Sequence, residues 1–163
     1  MATLTTVLFN HNYELLHDNV PLIKVDPITR TDVQAIGTTA LLDAVGKTIN
    51  NVGTQLRDTP EAERPAKVIF IIQTDGYENA STEFNAEQVR GMIKHQTEKY
   101  NWTFLFFGEN MDAEQVGGGL GISAKNSYGY HNTRDMYNVV TCSVSDIRSN
   151  CGSAGVGQGS EVK

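Results

Sequence analysis

The stretch Lys67–Ser81, KVIFIIQTDGYENAS, decides the fold class. It opens with an unbroken apolar run, Val68 to Ile72. A short run of this kind, rich in isoleucine and valine, predicts a strand buried on both faces. The run stops at Gln73 and Thr74, and Asp75-Gly76 predicts a turn. Open α/β sheets gather ligands in the crevice at the carboxyl ends of their parallel strands, so the pattern places Asp75 where such a crevice opens.

On the amino-terminal side, TLTTVLF at Thr3–Phe9 is β-branched and apolar and predicts a strand. Asn10-His11-Asn12 turns the chain, and Tyr13–Leu16 returns as the second arm of a hairpin. Val20–Lys24 reads as an edge region, with Pro21 and Pro27 unsuited to a central strand. Gly37-Thr38-Thr39 precedes a helix in which Leu41, Leu42, Val45, Ile49, Val52 and Leu56 recur at helical spacing. The hydroxyl of Thr38 or Thr39 is the expected cap of its first turn. Asp43, inside that helix, reads as a surface or capping contact. Asp58–Pro65 is a polar loop.

On the carboxyl side, a second helix is expected from Asn85 to Tyr100, with Asn85 and Gln88 spaced as a capping box. WTFLFF at Trp102–Phe107 is a second buried strand, ended by Gly108-Glu109-Asn110. Asp112 caps a short helix that stops at Gly117-Gly118-Gly119. Tyr128–Tyr130 is a short edge strand. Thr133 is the expected cap of a last helix with Met136, Val140, Val144 and Ile147 on one face. The segment 152–163, GSAGVGQGSEVK, is small and polar and reads as a disordered tail. Strands alternating with helices make 1–151 one three-layer α/β domain, doubly wound around a mostly parallel sheet.

Composition excludes several classes. The chain has 163 residues and a formal net charge of −6, and its Lys and Arg are scattered. No basic stripe supports nucleic-acid binding. No run approaches the roughly 20 apolar residues of a membrane span. The amino terminus lacks the basic and apolar regions of a signal peptide, so a cytoplasmic location is expected. The two cysteines, Cys142 and Cys151, read as free thiols. His11, His17, His95 and His131 fall in no catalytic spacing, and no carboxylate pair stands out as general acid and base, so no enzyme is indicated.

Taken together, GTTALLDAVGKTI, IIQTDGYENAS and LFFGENMDAEQVGGGLGI resemble the von Willebrand factor A domain family, in the compact form found in bacteria and phages. The resemblance runs from Thr3 to about Ser149. It implies a doubly wound sheet with a metal-ion-dependent adhesion site at the carboxyl edge. Thr39 matches that site's threonine and Asp75 matches the aspartate of its TDG strand, so Mg²⁺ or Mn²⁺ is the implied cofactor. The family's Asp-x-Ser-x-Ser motif is absent, and the chain begins at what looks like the family's second strand. The resemblance therefore implies a degenerate metal site and a vacancy between the strands at Thr3–Phe9 and Lys67–Thr74. Three remedies are open: direct pairing of the two strands, a strand from a second chain, or exchange within a homodimer. The chain's own initial methionine favours direct pairing or a homodimer.

Two functions follow as expectations. The first is a non-enzymatic protein-interaction module, binding a protein partner or itself (as a homodimer or larger) through Asn10, Thr38, Thr39, Asp75, Gly76, Tyr77, Glu78 and Asn110. The second is an oligomeric phage or bacterial protein that binds or sequesters a small anionic, nucleotide-like ligand at the sheet's carboxyl edge. Its motive is that the helices starting near Thr39 and Asn85 aim their N-termini at that edge.

Overall fold

The computed structural model describes residues 2–29, 31–32 and 37–149. The expected tail at 152–163 and Cys151 lie outside the described residues. Contacts divide the chain into two compact units, Met1–Gly129 and Tyr130–Lys163. The larger unit is α/β, as its alternating elements require.

Strand β1 (Thr3–Phe9) pairs antiparallel with β2 (Tyr13–Pro21) across the Asn10–Asn12 turn. β2 is longer than the expected Tyr13–Leu16. Asn19 takes a positive φ of 51° and donates its N–H to Thr5 Oγ1, and this irregularity lets pairing continue to Pro21. Helix α1 (Leu41–Asp58) follows, then strand β3 (Ile69–Thr74), helix α2 (Ala86–Tyr100), strand β4 (Thr103–Glu109), helix α3 (Ala113–Gly119) and strand β5 (Ser127–Tyr130). Helix α1 takes in Asp58, which the sequence placed in the following loop.

The strands form two separate sheets. One is the β1–β2 hairpin. The other has the order β3–β4–β5, with β3 and β4 parallel and in register from Ile69 beside Thr103 to Thr74 beside Gly108. Direct pairing of β1 with β3, one of the favoured remedies, does not occur.

The core sits where α1 and α2 cover one face of β3 and β4. Leu41, Val45 and Ile49 of α1 meet Val89 and Ile93 of α2, Ile72 of β3, and Phe104 and Phe106 of β4. Phe9 of β1 packs against the same cluster. The capping box at Asn85 and Gln88 forms as its local spacing demands, at 2.9 Å in each direction. Asp112 caps α3 through Gln115 N–H. In the second unit, helix α4 spans Thr133–Ser149, and Asn132 Oδ1 accepts Asp135 N–H in its first turn at 3.0 Å; the side chain of Thr133, the expected cap, lies outside the described residues.

Of the two strands expected to be enclosed, β4 is, with Phe104 through Gly108 all buried, and β3 is not. β3 is buried on one face only: Ile72 is 3% exposed while Ile71 is 42% exposed, and Gln73 is exposed as well. The reason is position. β3 ends its sheet, with β4 as its only ladder neighbour among the described residues. The two neighbouring isoleucines should respond very differently. Ile72→Ala should cost about 2–5 kcal/mol of unfolding free energy in urea titration, by opening a core cavity. Ile71→Thr should stay within about 1 kcal/mol of the parent.

Candidate functional site

The N-terminus of α1 is short of caps within its own sequence. Ala40 occupies the cap position and contributes no side-chain hydrogen bond, so neither Thr38 nor Thr39 caps the turn as expected. The cap comes instead from Glu78, far along the chain. Glu78 Oε2 accepts Leu42 N–H at 2.9 Å and Ser81 Oγ–H at 2.8 Å. Its Oε1 accepts the N–H groups of Ala80 and Ser81 at 2.9 and 2.8 Å. Ser81 Oγ in turn accepts Asp43 N–H at 3.1 Å. A carboxylate at a helix N-terminus is favoured by the free N–H groups and by the helix dipole.

Asp43 makes the reciprocal bond. It is buried, and its side chain turns back toward the loop after β3. Oδ2 accepts Thr82 N–H, and Oδ1 accepts the N–H groups of Glu83 and Phe84, all within 2.8–2.9 Å. The sequence reading left Asp43 as a surface or capping contact; it caps, but from a buried position and onto a distant loop. Beside it Phe84 lies flat on α1, and a Cβ at Gly46 would meet the Phe84 ring at 2.7 Å. Helix and loop are thus fastened by two carboxylates and one aromatic ring.

These fastenings draw three loops to one edge. Ala40 N–H donates to Asn10 O at 2.7 Å. Thr39 N–H donates to Asn79 Oδ1 at 2.8 Å, and Asn79 N–H returns to Thr39 O at 3.0 Å. Gly76 lies so close to Thr39 that a Cβ there would come within 2.8 Å of Oγ1. A Cβ at Gly37 would meet His11 Nδ1 at 2.9 Å. So Asn10, Thr39, Gly76 and Glu78 come together, and Thr38 shares the same segment. Asp75 and Tyr77 flank Gly76 and face solvent, Tyr77 at 60% exposure. Asn110 stands at the end of β4, exposed and at a positive φ of 52°. Sequence reasoning missed the buried role of Asp43.

The electrostatics follow from the bonding. Burial opposes ionisation of Asp43, but the N–H donors of Thr82, Phe84 and Glu83, with nearby Lys47, hold its carboxyl below the ordinary 3.8. Burial likewise opposes ionisation of Glu78, and the donors of Ser81, Leu42 and Ala80 hold it below the ordinary 4.5. Lys47 is ion-paired with Glu83 at 2.6 Å. A small polar cleft of about 90 Å³ opens between the hairpin turn and α1, lined by His11, Tyr13, Asp43, Lys47, Thr82 and Glu83 among others.

The anion expectation meets a physical obstacle here. The N–H groups at the start of α1 already hold Glu78, and those of α2 hold Asn85 in its capping box. For a metal, Asp75 and Thr39 supply one carboxylate and one hydroxyl. Mg²⁺ and Mn²⁺ take octahedral oxygen shells, so this pair alone does not make such a site. Among the described residues no three His, Cys, Asp or Glu side chains converge into a metal-binding group. No helix among them is long and apolar enough to cross a membrane.

Comparison with protein-family models, with curated proteins and with solved structures returns no match.

The clasp sets two expectations. Asp43→Ala strands three loop N–H groups and should lower unfolding free energy by on the order of 3 kcal/mol. Both carboxyls are depressed in the folded state, so their stabilisation is complete above the unfolded values and is lost as pH falls from about 4.5 through 3.8 and below. Urea titrations between pH 7 and pH 3 should show that decline in the parent and a shallower one in Asp43→Ala.

Proposed function

We propose that the chain is a non-enzymatic protein-interaction module with a von Willebrand A-like, doubly wound architecture and a degenerate metal site, acting in the cytoplasm. The observation that carries this reading is the contrast within one short loop. The backbone from Glu78 to Phe84 is held by carboxylates on every side, whereas Asp75 and Tyr77, just before it, are exposed. Exposed aromatic and charged groups on a rigid frame lose little entropy on docking and are the residue types that dominate binding energy at interfaces. His11 and Thr38, both exposed, extend the same face.

The partner is a protein, and binding draws on side chains and backbone without a resident cation. The anionic-ligand reading stays secondary because an anion would have to displace Glu78 from the start of α1.

Tyr77→Ala and Asp75→Ala should keep the parent's circular dichroism and melting temperature while weakening capture of the partner about tenfold or more for Tyr77. Millimolar Mg²⁺ or Mn²⁺ should leave capture by the parent unchanged. Equal capture by parent and both variants would remove this face from the reading.

A further inference from the structure

The polar cleft between the hairpin turn and α1 carries charges of both signs on its wall. Lys47 Nζ reaches Glu83 Oε1 at 2.6 Å and stands 5.9 Å from the centre of the Tyr13 ring. An ammonium group has three donors, and Glu83 engages one of them. Asp43 lies on the same wall. Its carboxylate has about four acceptor positions, and the N–H groups of Thr82, Glu83 and Phe84 fill three. Thr82 adds a hydroxyl that can donate or accept. The cleft therefore offers donors beside acceptors.

This mixture decides the charge of an occupant. An anion would lie against Asp43 and Glu83, and a cation against Lys47, so each would meet a like charge in a partly enclosed space. A neutral group with a donor and an acceptor side by side meets neither. Size narrows the choice. A cavity of about 150 Å³ accepts benzene, with its six heavy atoms. At the same packing this cleft, of about 90 Å³, takes about four. Ala40 and Ala44 add small apolar wall for a carbon. A methylene, a carbonyl and an amino group meet every condition together, and they form the end of an asparagine or glutamine side chain. His11 lines the cleft and is exposed on the face that carries Tyr77, so a side chain from a protein docked there has an entry.

We propose that this cleft takes the primary carboxamide of an asparagine or glutamine side chain from the protein partner. The carbonyl accepts from Lys47, and the amino group donates to the carboxylates opposite. This deepens the interaction-module reading and rests on it.

The probes are acetamide, acetate and acetamidinium, which share one shape and differ in charge at neutral pH. Each is titrated against the full chain, with binding read from the backbone amide resonances of Thr82 and Glu83. Acetamide should shift them saturably, and each charged twin should bind at least about fivefold more weakly. Lys47→Met removes the cation and should bring acetamidinium ahead of acetamide. Glu83→Gln releases the Lys47 ammonium and should narrow the gap between acetate and acetamide. Glu83 is exposed, so this variant keeps the fold and decides the matter alone if Lys47→Met does not fold by circular dichroism. The tripeptides acetyl-Gly-Gln-Gly-amide and acetyl-Gly-Glu-Gly-amide test the source, and the first should bind at least about fivefold tighter. No saturable shift, which leaves the cleft to water, or equal binding of the three probes would overturn the proposal. So would acetamide binding without preference for the Gln tripeptide, which would assign the cleft to a free small amide. Tyr77→Ala separates the two readings: it should weaken partner capture and leave acetamide binding at the parent level.

Discussion

The structure of the larger unit depends on a reciprocal exchange of carboxylates between a helix and a loop. Glu78 reaches from the loop to the start of α1, and Asp43 reaches from α1 back to the loop. Each is a buried or half-buried charge, and each would cost several kcal/mol if left without partners. Neither is paired with a cation at contact distance. Backbone and hydroxyl donors carry the compensation, an arrangement that fixes direction as well as energy because each N–H points one way. The loop after β3 therefore has one conformation, and Thr39, Gly76 and Asn79 meet as a consequence.

How much of this the sequence displays depends on the distance over which each decision is made. The capping box at Asn85 is written within four residues and is legible at once. The period of Leu41, Val45 and Ile49 is legible for the same reason, since the helix itself brings them to one face. The cap on α1 is not. Thr38 and Thr39 stand where a local cap belongs, but the acceptor of Leu42 N–H lies 36 residues away. Asp43 was equally opaque: with Lys47 four residues on, it has the spacing of an ordinary solvated helix face.

β3 shows a different limit. Its apolar run is the composition of a strand enclosed on both faces, and the run says nothing about which strands lie beside it. Ile71 is exposed on a strand that ends its sheet among the described residues, a property of the sheet rather than of the segment. The β4 run, WTFLFF, has the same character and is enclosed, with Phe107 stacked on Tyr128 of β5 at 5.2 Å. The candidate site divides in the same way. The bend at Asp75 and Gly76 is legible from the dipeptide that follows an apolar run, whereas the bonds that Asp43 and Glu78 make to the loop beyond it are not.

The clasp also has a kinetic meaning. The bonds from Asp43 to Thr82, Glu83 and Phe84 span 39, 40 and 41 residues, and β3 lies wholly inside that span. Closing so long a loop costs entropy before any bond rewards it. The clasp shares that closure cost with the core contacts between α1 and α2, which span a comparable length of chain. In the native state the same three amides become reporters. Their exchange with deuterium measures how often loop and helix part company, separately from the unfolding of the Phe106 core.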